Sequence, residues 1–288
     1  MDDEQFQVVG KKRRRYRQRL VNLRPAMDNS DGPFLQSVTV DVNRTVKKVA
    51  DFRVEIMSSD FYLNCVQTLN KSLKLITNEK KNGEKDIENE VESLVCYGLG
   101  NFSQCSIACY QLALYLCLQE LLKPTTAFVF DPVFLREECE ILTSLGVVVI
   151  EHNEEGKRRV GGTRTLFYLP HCGKALYNNL LWANWGSMLN CLVVLGNSFS
   201  RVFETASKGV LRDRWPYLLR AVAHTQEFAV QNNFRFLDVF NDLSVHVFPV
   251  DKIKSYPNEY WGDCDEPTYD GNEIEIITNE MMKHFKTA

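Results

Sequence analysis

The stretch Leu-Val-Cys-Tyr-Gly-Leu-Gly-Asn-Phe-Ser at residues 94–103 holds the residue types best suited to gripping an anionic ligand. Leu94, Val95 and Cys96 read as a buried strand, and Gly98 and Gly100 break its pattern before a long apolar helical segment. A glycine has no Cβ, so the chain turns sharply there and a ligand can approach the backbone closely. A helix that follows such a turn aims its first N–H groups at the same place, which favours a phosphate or a carboxylate. Asn101 adds a side-chain amide to the loop. The dinucleotide pattern G-x-G-x-x-G is incomplete, because Ser103 takes the third glycine position. Two readings stay open at this point, a ligand loop and a tight strand-to-helix turn without a ligand.

Further polar groups stand where other strands end. Asp131 closes a second strand, 31 residues after Gly100. An acid at that place in a nucleotide-binding unit accepts hydrogen bonds from ribose hydroxyls. Asp131-Pro132 is equally a helix start, with Asp as N-cap and Pro in the first turn. Pro170-His171-Cys172-Gly173 follows a fourth strand, where loops of α/β folds carry function. A histidine there is a candidate general base, and His171 with Cys172 is a candidate haem or iron ligand pair. Adjacent loop residues bind one metal poorly and no third ligand is visible, so a hydrogen-bonded loop histidine is the simpler reading. Gly196-Asn197-Ser198 follows the fifth strand much as Gly100-Asn101 follows the first, which adds Asn197 to the candidates. No P-loop, no H-E-x-x-H and no nucleophile elbow is present, and no metal site is expected.

The elements that must position these residues alternate along the chain. Strand-like runs fall at 94–97, 126–130, 147–150, 165–169 and 191–195, with a sixth at 244–248 that carries His246. Helical segments are predicted at 103–122, 132–145, 173–185 and about 215–230. Continuous apolar strands separated by helices indicate a mainly parallel sheet covered on both faces, a doubly wound, Rossmann-like α/β domain. Ligands in such sheets bind beyond the carboxyl ends of the strands, where strand order reverses. The aromatic stripe at 176–185 reads as core, although Asn178, Asn179 and Asn184 are odd helix residues that must bond a loop or a ligand.

Val46, Val49, Phe52 and Ile56, then Phe61, Cys65 and Leu69, predict two amphipathic helices packed on that domain. The chain therefore divides into a basic arm without regular structure at 1–40, a helical extension with a charged linker at 41–92, the Rossmann-like domain at 93–250 and an acidic extension at 251–288. The net charge of −3 hides an asymmetry, because residues 11–19 carry seven basic groups and no acid, leaving −10 elsewhere. Such a run is a candidate nuclear import signal or nucleic-acid contact, while the acidic remainder is unsuited to nucleic acid. Nine cysteines without a C-x-x-C pair fit a reducing compartment. With no secretory start and no membrane span expected, the cytoplasm is the predicted location, with the nucleus as a second candidate.

Taken together, Cys-Tyr-Gly-Leu-Gly-Asn-Phe-Ser at 96–103, Asp131-Pro132, Leu-Pro-His-Cys at 169–172, Asn-Asn-Leu-Leu-Trp-Ala-Asn-Trp at 178–185, Leu-Gly-Asn-Ser-Phe at 195–199 and Phe-Asn-Asp-Leu-Ser-Val-His at 240–246 resemble the "sensitivity to red light reduced" (SRR-like) domain family. The resemblance covers about residues 90–250. It implies regulation of the circadian clock and, in animal members, of haem biosynthesis, through protein partners and without established catalytic residues. The first loop and the sheet order also resemble those of S-adenosylmethionine-dependent methyltransferases, although Cys96 stands where such enzymes usually place an acid. The alternative is thus an enzyme that binds a nucleotide or S-adenosylmethionine at Gly98–Asn101. S-adenosylmethionine, a dinucleotide and haem are the candidate ligands, and no cofactor is assigned.

Overall fold

Leu94, Val95, Cys96 and Tyr97 are all buried, as a strand covered on both faces must be, and they form the centre of a seven-stranded sheet. The computed structural model describes residues 39–76, 90–262, 264–269 and 276–282. The expectations for the basic arm, and most of the charged linker, lie outside the described residues. Helices α1 (Val42–Met57) and α2 (Asp60–Ile76) precede the sheet. Then come β1 (Ser93–Tyr97), α3 (Ser106–Leu122), β2 (Thr126–Phe130), α4 (Arg136–Ser144), β3 (Val148–Val149), β4 (Thr165–Leu169), α5 (Lys174–Ala183) and β5 (Leu192–Asn197). Three short helices, α6 (Phe199–Thr205), α7 (Lys208–Arg214) and α8 (Pro216–Ala221), lead to β6 (Gln226–Ala229) and β7 (Leu243–Val247).

The strand order is β3-β2-β1-β4-β5-β7-β6, and β7 alone runs against the others. This is the mainly parallel, doubly wound sheet predicted, with the helical extension ahead of it. The chain moves outward from β1 through β2 and β3, then returns to β4 on the other side of β1, so strand order reverses between β1 and β4. Alternate side chains of each strand feed separate cores. Leu94, Cys96, Tyr168, Val193 and Val245 pack under α1, α2 and α3. Val95, Tyr97, Phe167, Leu169 and Val194 pack under α5 and the short helices that follow. The amphipathic stripe of α1 explains its seat: Phe52 stacks on Tyr110 of α3 at 3.6 Å, with an Arg53–Glu120 ion pair at 2.6 Å beside it. Helix α2 brings Phe61 onto Phe240 at 4.3 Å.

Two expectations need correction. The helix predicted at about 215–230 ends at Ala221, and Gln226–Ala229 is instead an edge strand paired antiparallel with β7, Glu227 facing His246. Its four residues show no alternation of burial, and a run this short cannot separate strand from helix without the partner. Asp131 does not cap a helix beginning at Pro132. The helix starts at Arg136, and the Leu135 N–H donates instead to Glu138 at 2.9 Å.

Candidate functional site

Gly98 and Gly100 both adopt left-handed backbone, with φ of 71° and 83°. A Cβ on Gly98 would stand 2.6 Å from the Cys172 sulfur, so the space as well as the conformation requires glycine. That contact lies at the reversal between β1 and β4. There the Cys172 thiol donates to the Tyr97 carbonyl at 3.2 Å, and the crevice is narrow because its two edges touch.

The Gly100 and Ser103 N–H groups of the loop are served by the chain's own carboxylates. Gly100 N–H donates to Asp131 Oδ2 at 2.7 Å and Val133 N–H to Asp131 Oδ1 at 3.1 Å. Ser103 N–H donates to Glu138 Oε1 at 2.8 Å, and Asn101 Nδ2 to Glu138 Oε2 at 3.1 Å and to the Val133 carbonyl. Both carboxylates are buried. The negative charge that this turn was expected to attract is therefore supplied from β2 and α4, and a phosphate placed beside Asp131 and Glu138 would meet like charge. Glu138 was not legible as a site residue. Its one signal is an acid pair, Glu137-Glu138, in the first turn of a helix.

Beside the loop is a cleft of about 70 Å³, walled by Tyr97, Gly98, Phe130, Asp131, Cys172 and Leu176 and rimmed by Asn153 and Glu155. Of the predicted site residues, Gly98 and Asp131 reach the wall; Gly100, Asn101, His171 and Asn197 do not line it.

His171 sits half-buried at φ 52°. The Gln111 side-chain nitrogen stands 3.2 Å from its Nδ1 and donates to the Val239 carbonyl at 3.1 Å. Nδ1 is engaged by Gln111 and the Cys172 sulfur is turned to the Tyr97 carbonyl. Among the described residues no three His, Cys, Asp or Glu side chains are grouped to hold a metal ion.

Asn197 ties the fourth and fifth strand ends together. Its Nδ2 donates to the Cys172 carbonyl at 2.8 Å and its N–H to Tyr177 Oη at 2.7 Å, while Tyr177 donates to the Leu169 carbonyl at 2.9 Å. Burial pushes the Tyr177 phenol well above its ordinary pKa, which keeps it a neutral donor. His246 is buried, its Nδ1 3.2 Å from the Val194 carbonyl and its Nε2 3.3 Å from the Phe199 N–H. It therefore clamps β7 to the turn after β5.

The three unusual asparagines bond loops. Asn178 Oδ1 accepts from the Tyr217 and Leu218 N–H groups at 2.9 and 3.2 Å, capping α8 from outside. Asn179 donates to the Glu155 carbonyl at 2.7 Å, and Asn184 accepts the Val160 N–H at 2.8 Å.

A family model described as the SRR1 domain matches residues 65–247. The match begins inside α2. The chain is similar to an SRR1-like protein of Mus musculus, 47% identical over 44% of this chain and 52% of that protein. An SRR1-like protein of Drosophila melanogaster is 30% identical over 96% of this chain and 93% of its own length. Protein SENSITIVITY TO RED LIGHT REDUCED 1 of Arabidopsis thaliana is 32% identical over 54% of this chain and 58% of that one. The aligned stretch thus spans about half the length of the mouse and Arabidopsis relatives and most of the fly protein.

Proposed function

The chain belongs to the SRR1 domain family, and from that premise we propose that it is a regulatory protein of the circadian clock and of haem biosynthesis. It works by binding protein partners, in the cytoplasm and, through Lys11–Arg19, in the nucleus. Family membership and the light-response name of the Arabidopsis relative support a regulatory role. The observation that carries the choice of partner binding over catalysis is the pairing of Asp131 and Glu138 with the loop N–H groups. Donors aimed at a ligand's charge do the work of such a loop in a nucleotide enzyme, and here those of Gly100 and Ser103 hold the loop to the end of β2 and to α4. Control of haem synthesis then runs through partners.

The sheet order with its single reversed strand favours a second reading, an S-adenosylmethionine-binding enzyme. That reading requires a ligand beside Asp131 that dispenses with the loop N–H groups. The test of the first is deletion of the gene in cultured cells carrying a rhythmic luminescent reporter. Loss is expected to change period or amplitude and total haem, with rescue by the wild-type chain. Unchanged rhythm and haem would overturn the proposal.

A further inference from the structure

An open sheet has two edges. β3 ends this one on one side with two residues, Val148–Val149, and β6 ends it on the other with four, Gln226–Ala229. An antiparallel strand turns alternate residues toward its neighbour and away from it. The Val230 N–H donates to the Leu243 carbonyl at 2.9 Å, so Val230, Phe228 and Gln226 are the residues that bond inward to β7. Glu227 and Ala229 then point their N–H and C=O groups outward, and among the described residues these groups have no hydrogen-bond partner. Thr225, the preceding residue of the outward series, is closed off, because Lys252 Nζ donates to its carbonyl at 2.8 Å.

This open stretch is held in place from behind. The Glu227 carboxylate accepts the Ser200 N–H at 2.9 Å and the Ser200 hydroxyl at 2.7 Å, and it stands 3.7 Å from Nε2 of the buried His246. On the other face of the strand, Lys71 of α2 lies 5.2 Å from the centre of the Phe228 ring. Solitary edges are commonly guarded by a proline, a bulge or an outward charge. β6 contains neither proline nor lysine, its register with β7 is unbroken, and its one charge is drawn back onto α6.

We propose that β6 pairs with β6 of a second copy of this chain, antiparallel across a twofold axis at Phe228, so that two sheets become one. The symmetry of the open groups selects this occupant. Glu227 then meets Ala229 of the second copy and Ala229 meets its Glu227, which satisfies every outward group of both residues. Phe228 meets its own copy at a non-hydrogen-bonded position, where facing side chains come closest and aromatic pairs are favoured. Moving the axis to Glu227 would set two carboxylates opposite each other and call on the Thr225 carbonyl, which Lys252 already holds. Helix α2 adds apolar surface on the Phe228 face. Leu75 stands one turn beyond Lys71 on the same stripe of that helix and is 49% exposed. Such a contact is isologous and closes at two copies.

The test is sedimentation velocity of the full chain from about 1 to about 200 µM, since a dimer this small at its core dissociates on dilution. Wild type is expected to pass from monomer to dimer within that range. Ala229→Pro deletes an outward N–H without touching the β7 ladder, removing two of the four main-chain bonds between copies, and should weaken the dimer by about tenfold or more. Leu75→Asp, at an exposed helix position, should weaken it as well, both variants keeping the wild-type circular dichroism spectrum. A further readout needs no variant: the Glu227 and Ala229 amides should exchange several-fold more slowly at the high concentration than at the low one. If Ala229→Pro does not fold, Leu75→Asp and the exchange rates decide. A wild-type chain that stays monomeric throughout overturns the proposal and leaves the edge to an extended segment of another protein. A dimer as tight in folded Ala229→Pro or in Leu75→Asp, or amide exchange at Glu227 and Ala229 that ignores concentration, overturns it too.

Discussion

Replacing Asp131 by asparagine keeps the side-chain shape and removes the charge that holds the first loop. In the wild-type chain, Oδ2 accepts the Gly100 N–H at 2.7 Å and Oδ1 accepts the Val133 N–H at 3.1 Å, both in buried surroundings. An amide offers only one acceptor, so one N–H must face its NH₂ group whichever way the side chain turns. A hydrogen bond to a charged group contributes roughly 1.5–3 kcal/mol, and stranding a buried donor costs about 1–3 kcal/mol. Losing one such bond and weakening the other to a neutral contact amounts to about 2–4 kcal/mol for Asp131→Asn. Alanine strands both donors, and Asp131→Ala is expected to cost roughly 3–6 kcal/mol. Urea unfolding followed by far-UV circular dichroism measures these losses, and an unchanged m-value would assign them to stability. A cost below about 0.5 kcal/mol for both variants, within the range of ordinary surface substitutions, would refute the reasoning. It would mean that water satisfies the loop N–H groups and that they remain open to a ligand.

Gly196→Ala places a Cβ 2.4 Å from Tyr177 Oη, which is locked between the Leu169 carbonyl and the Asn197 N–H, so a loss of about 1–3 kcal/mol is expected in the same assay. An unchanged unfolding midpoint would show that Tyr177 moves freely. His224 is buried among Trp185, Tyr256, Tyr260 and Trp261, and burial holds its pKa below the ordinary histidine value, with Arg220 and Lys252 adding repulsion against one favourable backbone contact. The unfolded chain takes up a proton near pH ~6.5 that the folded chain refuses, so this contribution is full above that pH and is lost as pH falls through it. His224→Phe should therefore lose less melting temperature than wild type between pH 7 and pH 5, and parallel pH profiles would contradict the assignment.

The central strands were legible because parallel strands buried on both faces read as unbroken apolar runs. Thr165–Leu169 is bounded as its sequence predicts, and Leu94–Tyr97 differs by one residue. The two amphipathic helices were legible from Val49, Ile56, Phe61 and Leu69, whose spacing places them on inward faces. Contacts made at long range were not. Glu138 meets Ser103 across 35 positions and Asn178 meets Tyr217 across 39, and nothing local in either segment marks the partner. Asp131-Pro132 has the composition of a helix cap, but the acid turned back to Val133 and across to Gly100, where two N–H groups needed an acceptor. Strand β6 was hidden for the same reason, since its pairing with β7 crosses the loop 230–242. At the cleft, Asn153 and Glu155 gained their place only when residues 276–282 folded back to them.

Whether the chain's own carboxylates stand where a ligand would is tested most directly by thermal unfolding of the full-length protein with S-adenosylmethionine, a nicotinamide dinucleotide or haem. A ligand that binds the folded chain stabilises it by about 2.7 kcal/mol at a hundredfold excess over its dissociation constant. With Asp131 and Glu138 holding the loop, none of the three is expected to give a saturable rise in melting temperature at millimolar S-adenosylmethionine or dinucleotide, or micromolar haem. A saturable rise of several degrees with any of them would contradict this account and return the Gly98–Asn101 loop to the ligand-binding reading.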